Sequence, residues 1–429
     1  MKLPRLHERL KANEISEDAC IEMMTLNRAP LIDYKDQLVM KPVVNLSMPD
    51  NLCSLLDLVW NCGWFSSSGD SPRPNWHGFI ETATSLIFQI REKTQIEFMP
   101  LIDLNSADEN CIFSVLTFIT EQATKLGITT PCVTYDLPLW LKAIQIQKSQ
   151  NIPIVCRLGG FHTLMSFIGS LGNLMKGSGL EQLFEQVYAT NSVPHLFSGK
   201  QYARGAHIMV HSALSKLLLE IVCDKFDGNI DFMSEVYSKA TQQKLDQETL
   251  DQSISDERLV TLNNKISETK RVLRESGRTP QLWLLYMEYV ELIKLYVFAE
   301  RSSNWNLHLY CLTKMLKLFA ATGHANYAKC ARFYVQEMQD LPTTNSWLHE
   351  MFLQGTVKRS SKNLNGLSTD LSIEQTLMRA IHSRGGHGRG FDEGVCPHDV
   401  GVEFEFLGQR SRCHDGANWH FVSFKLATC

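Results

Sequence analysis

Two short apolar runs separated by a helix-length segment constrain this chain most. The first is Pro131-Cys132-Val133-Thr134-Tyr135-Asp136, and the second is Ile154-Val155-Cys156-Arg157-Leu158. Each stops abruptly. The first ends at an acid, before Leu137-Pro138-Leu139-Trp140, and the second at Gly159-Gly160-Phe161-His162. Residues 139–149 between them are long enough for a helix. The spacing predicts a parallel strand–helix–strand unit with a carboxylate at the C-terminal end of one strand. Ligands and catalytic groups collect at those ends in open α/β sheets.

The pattern extends upstream. Residues 97–103 read as a strand, Asn105-Ser106-Ala107-Asp108 as a cap region, and 111–125 as a helix by apolar spacing. That makes strand, helix, strand, helix, strand over 97–159, with parallel right-handed crossovers the default. Earlier still, 37–44 allows a short strand, 52–62 and 76–92 read as helices, and 66–74 is a loop by its turn chemistry.

Beyond Gly160 helices take over, at 163–176, 179–190, 203–226, 229–245, 256–276, 283–301, 305–321 and 324–339. Gly323 and Pro342 punctuate the series. The stretch 239–278 is highly polar and reads as solvated. Trp283, Met287, Val290, Ile293 and Val297 recur at three- and four-residue steps, the mark of a core-facing helix. After the glycine-rich 385–390 run the helical period is lost. The remaining residues form either one hairpin, around 402–407 and 420–426, or no regular structure.

A net charge of −4 gives no global signature for nucleic acid, though a local basic surface remains compatible with it. Twelve cysteines without a CxxC pair fit reduced, buried thiols in an intracellular chain. The first residues lack an apolar core of signal-peptide length, and no run of about 18 apolar residues is present, so no membrane span is expected.

Each candidate site residue has two readings. Asp136 is a metal-binding or general-base carboxylate, or the N-cap of the helix that follows; Asp103 has the same two readings. His162 is a ligand or nucleic-acid contact, or a satisfied residue at a helix N-terminus. Thr369 or Asp370 can cap a helix in which Glu374 follows Asp370 at i, i+4, which makes either an acidic site or a solvated acidic first turn. Lys358, Arg359, Lys362, Arg379, Arg384 and Arg389 make 358–389 basic, either a phosphate-binding surface or a solvated face. Cys396, His398, Cys413, His414 and His420 lack paired zinc-finger spacing. The chain has no P-loop, nucleophile elbow or HExxH motif.

Several segments resemble an uncharacterised animal family of transposon-derived proteins, itself distantly similar to the ribonuclease H-like transposases of Mutator-type elements. They are 100–105, 134–140, 156–162 (Cys156-Arg157-Leu158-Gly159-Gly160-Phe161-His162), 175–180, 198–200, 299–301 (Ala299-Glu300-Arg301), 323–329 and 372–379. The resemblance covers about 57–390. It implies that 98–103 is the third strand of a ribonuclease H-like sheet, with Asp136 the second catalytic acid at the end of the fourth. Cys156 and His162 would be the Cys/His elements that follow, and Glu374 the final acid on a late helix. Such chemistry needs carboxylates clustered around two divalent metals, so Asp136, Glu374 and Asp103 would lie together. The chain departs from the pattern because residues 1–56 offer no strand pair ending in Asp for the first acid, and the segment after Gly390 does not match.

The resulting expectation is an α/β chain, mainly α overall, with a partial ribonuclease H-like sheet and a large helical insertion. Its parts would be an N-terminal segment 1–56, a first core part 57–162, an insertion 163–355, a late helix 356–390 and an irregular tail 391–429. The expected function is nucleic-acid binding without catalysis, with a metal-dependent transposase or nuclease and a helical protein-interaction scaffold as alternatives. No cofactor is expected, or Mg²⁺ or Mn²⁺ if the acids are active. DNA is the expected partner, with no membrane, in an intracellular and nuclear setting.

Overall fold

The computed structural model describes residues 24, 42–48, 52–66, 74–85, 95–99, 108–125, 127–200, 203–226, 231–242, 246–254, 256–355, 402–406 and 422–424. In chain order the first elements are α1 (Leu52–Ser66), α2 (Trp76–Ala83), β1 (Gln95–Met99), α3 (Glu109–Lys125), β2 (Cys132–Tyr135), α4 (Leu137–Ser149) and β3 (Val155–Leu158). Then come α5 (Gly160–Leu174), α6 (Leu180–Glu185), α7 (Val193–Phe197), α8 (Ala203–Phe226), α9 (Asp231–Thr241), α10 (Gln247–Ile254) and α11 (Glu257–Glu275). The series closes with α12 (Arg278–Ser302), α13 (Trp305–Ala321), α14 (Ala325–Thr344), α15 (Ser346–Gln354), β4 (Val402–Phe406) and β5 (Val422–Phe424).

The strand–helix–strand unit forms as the sequence predicts. Strands β2 and β3 pair in parallel, from Cys132 opposite Val155 to Tyr135 opposite Leu158. Helix α4 crosses between them, and the Trp140 indole donates back to the Cys156 carbonyl at 3.0 Å. Among the described residues no third parallel strand joins this pair. Strand β1 pairs antiparallel with β4, which pairs antiparallel with β5.

Among the described residues β2–β3 is the single parallel pair, and the chain is mainly α. The expected ribonuclease H-like α/β sheet is therefore corrected: it is not the fold. The physical reason lies in the helices, which share one continuous buried core with β2 and β3 and cover the strand pair where further strands would otherwise pack.

Helix α12 is the axis of that core. From Val290 to Ala299 nearly every position is buried, Lys294 included, so the one-sided stripe read from the sequence is in fact an all-round interior helix. It packs on α1, α5, α8, α11 and α13. Helix α8 packs against it: His211 contacts Lys294, His207 Nδ1 lies 3.0 Å from the Tyr286 hydroxyl, and Leu218 packs with Leu284 and Met287. The span Ala203–Asp224 within α8 is long and apolar enough to cross a membrane by length and composition, which the sequence reading had not anticipated. Its fully buried His207 and His211 point into the helical core.

Pro342 was expected to punctuate the series, but α14 runs through it to Thr344. In the last turn a proline forfeits only one backbone bond, and buried Leu341 beside it holds the turn in place. Asn345 then caps α15 through Leu348 N–H at 2.9 Å.

Candidate functional site

The two motifs meet at the ends of β2 and β3. Gly159 N–H donates to the Tyr135 carbonyl at 2.7 Å, carrying the ladder one step past the strands and setting Asp136 beside the Gly159-Gly160 turn. Asp136 is half-buried, and its carboxylate accepts from Leu139 N–H at 3.2 Å as the N-cap of α4. The carboxylate does cap the helix, and that bond engages one of its two oxygens. Asp136→Ala is expected to cost about 1 kcal/mol in urea unfolding. A loss several times larger would mean that the carboxylate holds something besides the helix.

The turn leads into a charged interior. Arg157, on β3, places Nη2 3.3 Å from Glu300 Oε1 on α12, and His308 Nδ1 of α13 lies 2.5 Å from the same oxygen. All three side chains are almost wholly buried. Trp305 stacks on the His308 ring with centroids 5.0 Å apart, and Tyr296 and Tyr334 also pack on that ring.

Burial opposes the charge on Glu300, but His308 and then Arg157 outweigh it and hold the carboxyl below its ordinary range. Burial likewise works against Arg157, and Glu300 more than offsets it. Gly160 is required here. A Cβ on it would come within 2.9 Å of Glu300 Oε2 and of the Tyr296 hydroxyl oxygen. The absent side chain lets the first turn of α5 close on the buried carboxylate, where helix-terminal N–H groups favour negative charge.

This network joins two of the resemblance segments, 156–162 and 299–301, which lie far apart in sequence. Its burial makes it a structural clamp and not an open site. His162, in the first turn of α5, is half-buried and meets Phe161 edge to face at 5.2 Å. Burial pushes the Cys132 thiol up to about 12 and raises Cys156 further, so both are packing groups at neutral pH.

Asp103, Lys358, Arg359, Lys362, Glu374, Arg379, Arg384 and Arg389 lie outside the described residues, as does the expected approach of Glu374 and Asp103 to Asp136. Among the described residues no group of three or more His, Cys, Asp or Glu side chains is placed to hold a metal ion.

Two further charge clusters escaped the sequence reading. In the first, Lys294 Nζ donates to both Asp57 carboxylate oxygens, at 2.6 and 2.7 Å, and to His211 Nδ1 at 3.1 Å. His211 Nε2 lies 3.5 Å from Glu291, which Lys270 also meets at 3.1 Å. Burial works against ionised Glu291, but His211 and the two lysines hold its carboxyl well below the usual range. Burial and then Lys294 keep the His211 imidazole neutral by lowering its pKa.

The second cluster is cationic. Arg301, at the end of α12, contacts His77 Nε2 of α2, with Arg204 of α8 near both. Burial and then the two arginines push His77 down to about 3, so at neutral pH it is an acceptor for Arg301. Burial, then Arg204, lowers Arg301 to about 10. For Asp57 and Lys294 the sequence signal was a single charge inside an apolar helical run, Leu55-Leu56-Asp57-Leu58 and Leu292-Ile293-Lys294-Leu295.

Fold and site together define a mainly α protein whose helices are locked by buried ion networks. Residues 75–398 match a protein family described as a domain of unknown function (DUF8702). The match spans more than half of the chain, which belongs to that family. No curated protein and no solved structure matches.

Proposed function

We propose that this chain is a non-catalytic nucleic-acid-binding protein that engages phosphate through Arg204 and Arg301. The observation that carries the reading is their placement. Both guanidiniums are half-buried, and among the described residues neither forms an ion pair with a carboxylate. Partly desolvated cations held near each other are costly, and an oxyanion relieves that cost. Guanidinium forks match the geometry of a phosphate group. Glu81 offsets only part of the charge around Arg301. The basic window 358–389 and the transposon-derived resemblance support the same reading. The non-catalytic part of the proposal rests on the sequence, in which residues 1–56 offer no strand pair ending in Asp for the first acid of three.

Fluorescence anisotropy of a labelled DNA duplex against a salt series tests this. Affinity is expected to fall steeply with salt, and Arg204→Gln/Arg301→Gln to weaken binding about tenfold at low salt. The same double variant should flatten the slope of log affinity against log salt by about two phosphate contacts. Salt-insensitive binding, or an unchanged slope in the double variant, would overturn the reading.

A further inference from the structure

We infer that the cavity beside the Asp57–Lys294 ion pair is a binding site for a small organic anion. The ligand it fits carries an apolar body and a hydrogen-bond donor besides its charge.

Helices α1, α8, α11, α12 and α13 line a solvent-open cavity of about 600 Å³, within the range that takes small-molecule ligands. Three features of its lining set the ligand's chemistry. The first is Asn61. It is 7% exposed, its Nδ2 donates to the Asp57 carbonyl at 2.8 Å, and its Oδ1 is buried with no hydrogen-bond partner. An orphaned buried acceptor costs free energy until a donor reaches it. A ligand N–H or O–H supplies that donor.

The second feature is cationic. Lys314 and Lys317 follow one another at i, i+3 on α13 and both line the cavity. Lys314 rests on the Tyr310 ring at 5.2 Å, and among the described residues neither lysine has a carboxylate partner. The other lysines of the lining are already engaged, Lys294 by Asp57 and Lys270 by Glu291. The unneutralised charge therefore sits with Lys314 and Lys317. The third feature is the apolar part of the wall, including Leu218, Ile266 and Leu292, which suits a hydrocarbon or ring body. Arg204 and Arg301 are not part of this lining, so the inference stands apart from the nucleic-acid reading.

The test uses two probes on the full chain. 6-Anilinonaphthalene-2-sulfonate has a sulfonate, an N–H donor remote from it and an aromatic body; N-phenyl-2-naphthylamine has the last two without the charge. The sulfonate is expected to bind saturably, one per chain, and about tenfold more tightly than the uncharged analogue. Lys314→Gln/Lys317→Gln should remove that difference, and Asn61→Leu should weaken both probes. Matching near-ultraviolet circular dichroism identifies variants that keep the fold; if Asn61→Leu does not, the lysine pair alone decides. Equal affinity for the two probes, binding beyond one per chain, or indifference to the lysine pair overturns the inference.

Discussion

Glu300→Ala is expected to destabilise the folded chain by about 3–5 kcal/mol, the usual cost of removing one partner from a buried ion pair. The loss comes less from the missing contacts than from what is left behind. Arg157 is 3% exposed, and Glu300 supplies its ion-pair partner among the described residues. Urea unfolding at neutral pH measures the loss. A double replacement, Arg157→Met with Glu300→Met, should be milder than Glu300→Ala, because it removes the charge that would otherwise be stranded.

The same carboxylate gives the prediction a pH dependence. Its folded pKa lies below the ordinary value of 4.5, so the unfolded chain takes up the proton first as acid is added. The stabilisation is therefore complete above about pH 4.5 and fades as pH falls through the folded value. The gap between the native chain and Glu300→Ala should narrow in acid. A gap below about 1 kcal/mol at neutral pH, or one that widens in acid, would refute the clamp.

Asp57→Ala is expected to cost a similar amount, about 3–5 kcal/mol, at the other end of the core. Lys294 is 1% exposed, and Asp57 receives two of its hydrogen bonds. Without that carboxylate the ammonium keeps a hydrogen bond to His211 and the more distant charge of Glu291. Asp57→Asn should do less harm, since the amide oxygen still accepts one bond. Lys294→Met added to Asp57→Ala should restore part of the loss, because a methionine suits a helix buried on all sides. Strict additivity of the two changes would show that the pair is not coupled and would sink this account.

Much of the local structure was legible in the sequence, though Pro342 did not end its helix and the helix expected over 76–92 stops at Ala83. The helices Ala203–Phe226 and Trp305–Ala321 form between the residues that apolar spacing predicts, and β2, α4 and β3 follow the order of their apolar runs. Asp136 was readable as a cap because capping depends on neighbours three residues away, and the Leu139 amide is such a neighbour.

What lay beyond the sequence depends on which distant surfaces meet. The segment carrying β1 has strand character, yet nothing in it specifies β4, some three hundred residues later, as its partner instead of β2. The interior charges are the clearest case. Glu300 and Lys294 read as the polar positions of an amphipathic helix until packing on all sides of α12 turns them inward. Arg157 is 143 positions from Glu300, and Asp57 is 237 from Lys294. Periodicity and capping act within a few residues. A buried charge is tolerable only when tertiary packing delivers its partner, and that pairing is a property of the folded chain alone.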